Sequence, residues 1–323
     1  MSNYKEQPHL AALSMVSKRY HSLVASPDLY KIRSLIGRTE TLVYICLRTY
    51  KGVPSVRWYI PRRRKTLDAS DLILIPSLPS QPLEASSVVV LDSSIYVIGG
   101  LIKGEQRTSY VWRLDCRTRV WHPVPSMAAS RAYGAAGVVD GKIYVFGGCD
   151  VHDNYGEVFD PDTQTWNPLP PMPKRKGGKK HIHSSMVTDH KVYAFDEKER
   201  TFYYSPREVE TELYFGANRI IDRWEEKRIM DGRPPLKMDK CWRRLRFERL
   251  HPGARMCSSG GKIVLFWDDT QSGYLHIWSA EISLERLQGG EIWGNIERSN
   301  IVMPAFERFK AHKKVLHSVS VTL

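Results

Sequence analysis

Apolar residues near the start of the chain recur at helical spacing. Leu10, Leu13, Val16, Tyr20, Leu23 and Val24 fall three or four apart, which gathers them on one side of a helix. A second helix is predicted directly after it. Ser26 supplies an N-cap and Pro27 suits the first helical position. Leu29, Ile32, Leu35 and Ile36 give this helix an apolar side, and Gly37 stands where a left-handed cap would end it. Past residue 40 the period shortens to two. "TLVYICLR" at 41–48 and "KKVLHSVSVTL" at the other end of the chain alternate and are rich in β-branched residues, as strands are.

The middle of the chain repeats itself. "VVVLDSSIYVIGG" at 88–100 and "GVVDGKIYVFGG" at 137–148 each predict a strand, a two-residue turn, a second strand and a glycine pair. The turns are assigned to Ser93-Ser94 and Asp140-Gly141. The second is a strong hairpin signal, because a primed turn needs positive φ at both central positions. After each glycine pair come a loop, a strand, a polar turn and a tryptophan: "SYVWRLDCRTRVWHPVPSM" at 109–127 and "NYGEVFDPDTQTWNPLPPMP" at 154–173. Gly99-Gly100 and Trp121 thus recur as Gly147-Gly148 and Trp166, four short strands in about 50 residues.

These units, 86–131 and 132–176, resemble kelch repeats, each of which forms one blade of a β-propeller. Five features agree in order and spacing in both copies. The residues account for the motif as a packing device. The glycines allow close backbone approach where blades crowd. Trp121 and Trp166 are expected to bury their rings between neighbouring blades. Weaker units flank the pair: 183–206 offers three strands, and 256–297 offers four with Trp293 in the closing one. A propeller removes its edges by closing its ring. Residues 41–76 and 313–322 are therefore predicted to share a blade. Residues 206–240 are highly charged, show little alternation and contain "GRPP". They predict a helical insertion, a loop or a degenerate blade. The expected fold is mainly β: a kelch-type propeller over 41–323, with six blades of which one is degenerate, or five. The short helical unit at 1–38 precedes it.

Charge adds a question about partners. The 323 residues carry 48 Lys and Arg against 35 Asp and Glu, a net +13. Such a field attracts acidic surfaces or nucleic acid. It is concentrated at 62–65 (RRRK), 174–180 (KRKGGKK) and 240–249 (KCWRRLRFER). The first two read as solvated loops, and short runs of this kind also serve as nuclear-import signals. The third alternates basic and apolar residues like a strand with one charged face. Specific RNA binding needs aromatic platforms beside basic groups. The aromatics here sit mostly at positions that a blade core demands, so nucleic acid is the weaker expectation. The five cysteines are scattered without a CxxC pair and read as free thiols in a reducing compartment. His181, His183 and His190 have no cysteine close by, so no metal site and no cofactor is expected. No apolar run is long enough to cross a bilayer. The N-terminal stretch has neither the basic flank nor the apolar core of a secretory signal. The expectation is an intracellular protein, cytoplasmic, nuclear or both.

The helical stretch "LSMVSKRYHSLVASPDLY" resembles the second half of an F-box. Leu13, Val16, Lys18, Arg19, Tyr20, Leu23, Pro27, Leu29 and Tyr30 occupy positions of that pattern. "LIGRTE…VYICLR" and "WSAEISLER…GEIWG" are likewise similar to the plant F-box/kelch-repeat proteins. The resemblance spans most of the chain, excepting roughly 206–240. It implies a substrate receptor of a Skp–cullin–F-box ubiquitin ligase. In such a receptor the F-box docks on a Skp-type adaptor and the propeller holds a target protein for ubiquitination. The opening Leu-Pro and first helix of the pattern have no counterpart here. The F-box therefore reads as truncated, and the alternative is a kelch interaction scaffold that does not dock on the ligase.

No enzyme is expected. Copper-oxidase propellers need a His, Tyr and Cys ligand set, and sialidase propellers need repeated Ser-x-Asp boxes. The one distant echo of such a box, "DPDTQTW", is explained by the kelch motif. Ligands of a propeller bind where loops converge at one end of the ring. Arg131 and Tyr133 are candidates for that face, with interblade packing as the alternative role for both.

Overall fold

The computed structural model describes residues 17–51, 53–63, 70–103, 105–149, 155–170, 182–188, 190–196, 201–206, 255–269, 276–286, 292–303 and 312–323. Two helices open it. Helix α1 spans Lys18–Ala25, with the Ser17 hydroxyl accepting from the Tyr20 amide at 3.3 Å. Helix α2 spans Pro27–Leu35, with the Ser26 hydroxyl accepting from the Asp28 amide at 3.2 Å. Gly37 takes a φ of +66° just past the end, the left-handed cap that the sequence predicts. The upstream part of the first predicted helix, including Leu13 and Val16, lies outside the described residues.

The strands follow in chain order. They are β1 (Thr41–Lys51), β2 (Val53–Arg63), β3 (Ser70–Leu74), β4 (Ser87–Leu91), β5 (Ser94–Ile98), β6 (Leu101–Ile102) and β7 (Gln106–Arg107). Next come β8 (Val111–Asp115), β9 (Val120–Val124), β10 (Ala135–Val139), β11 (Lys142–Phe146), β12 (Gly156–Asp160) and β13 (Thr165–Pro168). The remainder are β14 (Ile182–Thr188), β15 (Lys191–Asp196), β16 (Thr201–Tyr204), β17 (Arg255–Ser259), β18 (Lys262–Asp269), β19 (His276–Arg286), β20 (Ile292–Met303) and β21 (His312–Thr322).

Apart from the two-stranded β6-β7 ribbon, they form five blade-like antiparallel sheets among the described residues. In chain order these are β21-β1-β2-β3, β4-β5-β8-β9, β10-β11-β12-β13, β14-β15-β16 and β17-β18-β19-β20. The first sheet combines the two ends of the propeller sequence, as expected. Its seam runs from Thr41 opposite Thr322 to Tyr50 opposite His312. The strands β17, β21, β4, β10 and β14 neighbour one another in that order, so the sheets succeed each other in sequence around the seam. The degenerate blade or insertion predicted at 206–240 lies, apart from Pro206, outside the described residues.

One turn differs from its sequence assignment. In β4–β5, Leu91 pairs with Ser94, so the turn is Asp92-Ser93 and not Ser93-Ser94. Asp92 adopts a φ of +52°, which an aspartate tolerates, and Ser94 is buried at the start of its strand. The other turn is as predicted, with Asp140 and Gly141 at +49° and +76°.

The core consists of layers between successive sheets, and residue parity decides which layer each side chain joins. In β1, Tyr44 and Cys46 face the second sheet and pack with Trp58, Ile95, Leu114 and Trp121. Ile45 and Leu47 face the last sheet and pack with Val264, Phe266 and Ile277. In β5, Ile95 and Val97 join the first layer, while Tyr96 and Ile98 meet Ile143, Val145 and Phe159 of the third sheet. Ala135, Val139 and Phe146 then pack on Val192 and Ala194 of β15. A strand buried on both faces reads as a continuous apolar run, and all five residues of β5 are buried. Each such Ile or Val contributes roughly 1.5–3 kcal/mol by leaving water.

Candidate functional site

The ring has two chemically different ends. At one, the short turns cluster: the Cys116 amide donates to the Ser93 carbonyl at 3.0 Å, and the Tyr44 hydroxyl donates to the Cys116 carbonyl at 3.3 Å. The helices sit at this end, because β1 begins there directly after them. At the other end lie the glycine pairs, their loops and the connectors between sheets. The Gly100 amide donates to the Arg131 carbonyl at 2.8 Å, and the Ala132 amide donates to the Gly148 carbonyl at 2.9 Å. Arg48, near the far end of β1, pairs there with Glu84.

The helical end presents an apolar surface. Tyr20, Leu23, Ile32, Leu35 and Ile36 are all large and exposed, Leu35 to 85%. These five account for nearly half of the large exposed apolar side chains among the described residues. Of the residues matched to the F-box pattern, Lys18, Arg19, Tyr20 and Leu23 are exposed on α1. Pro27 opens α2. Leu29 and Tyr30 are half-buried instead. Burial raises the Tyr30 phenol above its ordinary pKa, and Arg33, Arg117 and Arg119 oppose that rise. Tyr30 therefore stands apart from the exposed set.

Of the two repeat tryptophans, Trp121 is buried and Trp166 is half-buried. Trp121 stacks at a tilt on Trp58 of the neighbouring sheet, with ring centroids 6.1 Å apart, and its indole N–H donates to the Pro76 carbonyl at 2.9 Å. Trp166 sits 5.1 Å from Phe159 against the layer shared with the second sheet, and its indole donates to the Pro125 carbonyl at 2.7 Å. In both repeats the tryptophan thus ties its own blade to a proline of the preceding connector. Gly99, Gly100, Gly147 and Gly148 all have positive φ. A Cβ at Gly99 would lie 2.4 Å from the Arg131 carbonyl oxygen, and one at Gly148 would lie 2.4 Å from that of Ala132.

Arg131 is not a ligand-facing residue. Its side chain is 2% exposed, and its guanidinium meets the equally buried Glu157 carboxylate at 2.9 Å. Nη1 also donates to the carbonyls of Gly147 at 2.9 Å and Tyr155 at 3.0 Å, and to Cys149 Sγ at 3.4 Å. Glu157 accepts in turn from the Ala128 amide at 2.7 Å and the Ala129 amide at 3.2 Å. A buried cation must be paired and fully hydrogen-bonded, and that need draws the side chain inward. Tyr133 is half-buried with a φ of +58°, and its amide donates to the carbonyl of Ala85, itself at +61°. Arg131 thus lies at the joint between sheets, and Tyr133 meets that joint through its backbone amide. Glu157 escaped the sequence reading. Its one signal is a carboxylate directly before the apolar pair Val158-Phe159, where the preceding repeat has Trp112.

Other candidates resolve as follows. His190 contacts Asp140 at 3.1 Å, linking the hairpin turns of two adjacent sheets, and His181 lies outside the described residues. Among the described residues no three His, Cys, Asp or Glu side chains gather as metal ligands. Cys46, Cys116, Cys149 and Cys257 are free thiols, and Cys241 lies outside the described residues. Burial pushes the Cys116 and Cys257 thiols up to about 12, so both stay protonated and inert. The basic runs at 174–180 and 240–249 lie outside the described residues. No helix among the described residues is long and apolar enough to cross a membrane.

Known proteins match this architecture. Residues 58–303 match the family described as FKB95, Kelch-repeats domain. An F-box/kelch-repeat protein of Arabidopsis thaliana is 35% identical over 90% of this chain and 84% of its own length. A second F-box/kelch-repeat protein of the same plant is 34% identical over 90% of this chain and 81% of its own. Among solved structures, that of YjhT covers 73% of this chain and 69% of its own at 13% identity and a TM-score of 0.36, too slight a likeness to carry an inference. The family match falls on the five sheets and the relatives extend along nearly the whole chain, so the chain belongs to the plant F-box/kelch-repeat family, as a kelch protein-interaction module of the F-box type.

Proposed function

We propose that this chain is the non-enzymatic substrate-recognition subunit of a Skp–cullin–F-box ubiquitin ligase. The helices dock on a Skp-type adaptor, and the loop end of the propeller holds a target protein. One observation carries this reading: a patch of exposed apolar residues at one end of the ring, away from the loops. Tyr20, Leu23, Ile32, Leu35 and Ile36 offer the few large apolar anchors on which interface energy concentrates. The relatives' names, which couple an F-box to kelch repeats, support the same assignment. The compartment that fits is cytoplasmic, nuclear or both.

The test is co-elution of the purified chain with a purified Skp-type adaptor at micromolar concentration. Leu23→Glu with Ile32→Glu should abolish it while the thermal melt stays unchanged. Absence of co-elution for the unsubstituted chain refutes the ligase assignment and leaves a kelch scaffold that works without the adaptor.

A further inference from the structure

The helices carry charge of nearly one sign. Over residues 17–39 the chain has Lys18, Arg19, Lys31, Arg33 and Arg38 against a single carboxylate, Asp28. Arg33 is buried and folds back, donating from Nε to the Arg38 carbonyl at 3.0 Å. Lys18, Arg19, Lys31 and Arg38 are exposed, as is Asp28. None of these four cations forms an ion pair among the described residues. Several cations of the ring do find carboxylates: Lys142 meets Asp160 at 2.7 Å, Arg117 meets Asp115 at 3.0 Å, and Lys262 pairs with Glu297.

The free cations flank the exposed apolar side chains. Residues three or four apart share one side of a helix, which places Arg19 beside Leu23 on α1. On α2 the same spacing places Lys31 beside Leu35, and Asp28 in line with Ile32 and Ile36. Arg38 follows just past the cap at Gly37. Leu23, Ile32, Leu35 and Ile36 are all exposed, so the solvent side of both helices mixes large apolar groups with unpaired positive charge. Interfaces have this make-up, with apolar anchors inside a polar rim.

We infer that the solvent side of α1 and α2 binds an acidic protein surface, with Arg19, Lys31 and Arg38 meeting its carboxylates around the apolar anchors. Rim charges of this kind speed encounter and fix orientation, while the apolar anchors hold the complex once formed. An anionic lipid surface fits less well, because Asp28 lies in line with Ile32 and Ile36 and would face the headgroups. Naming the acidic partner as the Skp-type adaptor rests on the assignment above, whereas the charge pattern does not.

Stopped-flow association of the full chain with a purified adaptor tests it. Between about 50 and about 500 mM salt, association should slow roughly tenfold while dissociation changes little. The triple variant Arg19→Glu, Lys31→Glu and Arg38→Glu should associate at least about tenfold more slowly at low salt and lose that salt dependence. A control triple, Arg57→Glu, Lys103→Glu and Lys314→Glu, makes the same change in net charge at exposed ring positions. It should stay within about threefold of the unsubstituted rate. Equal slowing by the two triples would show that net charge steers the encounter, and the helix rim would lose its role. Salt-independent association of the unsubstituted chain overturns the acidic partner while docking on the adaptor stands. No association at either salt concentration refutes the docking assignment and the acidic adaptor surface together. Binding to phosphatidylserine vesicles that the helix triple abolishes and the control triple keeps, with no association to the adaptor, overturns the protein partner in favour of lipid.

Discussion

Arg131 and Glu157 form a buried ion pair, 2.9 Å apart, in which both side chains are 2% exposed. The pair joins the connector before the third sheet to the third strand of that sheet, and four backbone groups and Cys149 Sγ add to its hydrogen bonding. Removing one partner strands the other charge in a dry interior. Arg131→Ala or Glu157→Ala should therefore destabilise the protein by about 3–5 kcal/mol in urea denaturation. The double substitution should cost clearly less than the sum of the two singles. Additive losses would mean that the two charges do not stabilise one another.

The two repeat tryptophans separate ring packing from hydrogen bonding. Trp121→Phe keeps most of the ring in the layer beside Trp58 but removes the N–H donated to Pro76. It should cost about 1 kcal/mol. Trp121→Ala should cost about 3–5 kcal/mol, since it opens a cavity between two sheets. Equal losses in chemical denaturation would assign the whole effect to the hydrogen bond.

Gly148 and Gly141 have similar positive φ but different surroundings. A Cβ on Gly141, at +76°, would have nothing within 4 Å, whereas one on Gly148, at +68°, would strike the Ala132 carbonyl at 2.4 Å. Gly141→Ala should cost only the left-handed penalty, about 1–2 kcal/mol. Gly148→Ala adds a backbone clash that cannot relax by a rotamer change, so its melting temperature should fall further. Equal melting temperatures for the two variants would remove close approach as the reason for the second glycine pair.

His317 makes the closing seam sensitive to acid. Its imidazole stacks on Trp58 at 6.3 Å, and the Arg255 guanidinium beside it donates to the neighbouring Leu316 carbonyl at 2.7 Å. Burial first, and then Arg255, push its pKa from 6.5 down to about 3. The folded value lies below the unfolded one, so the unfolded chain takes up the proton first. This contribution is complete above pH 6.5 and is lost as the pH falls toward 3, at up to about 1.4 kcal/mol per pH unit. His317→Gln should flatten that part of a stability-against-pH curve measured in urea. An unchanged slope would place the acid sensitivity elsewhere.

Much of this architecture is legible in sequence because each relevant signal is local. Ser26-Pro27 and Gly37 bound a helix through the conformations they adopt, and Asp140-Gly141 bounds a hairpin for the same reason. The turn before β5 sits one residue earlier than its sequence predicts, since Asp-Ser and Ser-Ser are both acceptable turn pairs and only strand pairing selects between them. For Arg131 the sequence leaves a ligand-facing role and an interblade role both open. Its partner Glu157 lies 26 residues further on, and no local pattern links the two.

By itself the sequence determined the two-residue period, the glycine and tryptophan spacing that marks the repeats, and the closure of the first sheet by strands from both ends. Each of these depends on backbone conformation or on an edge that has to be covered. Only the tertiary structure decided which neighbour each face meets: Tyr44 toward the second sheet and Ile45 toward the last, Arg131 inward to Glu157, and Leu35 out to solvent. Alternation tells a residue which side of its strand it occupies. What lies on that side is set by residues far away in the chain, and their approach depends on the packing of whole sheets.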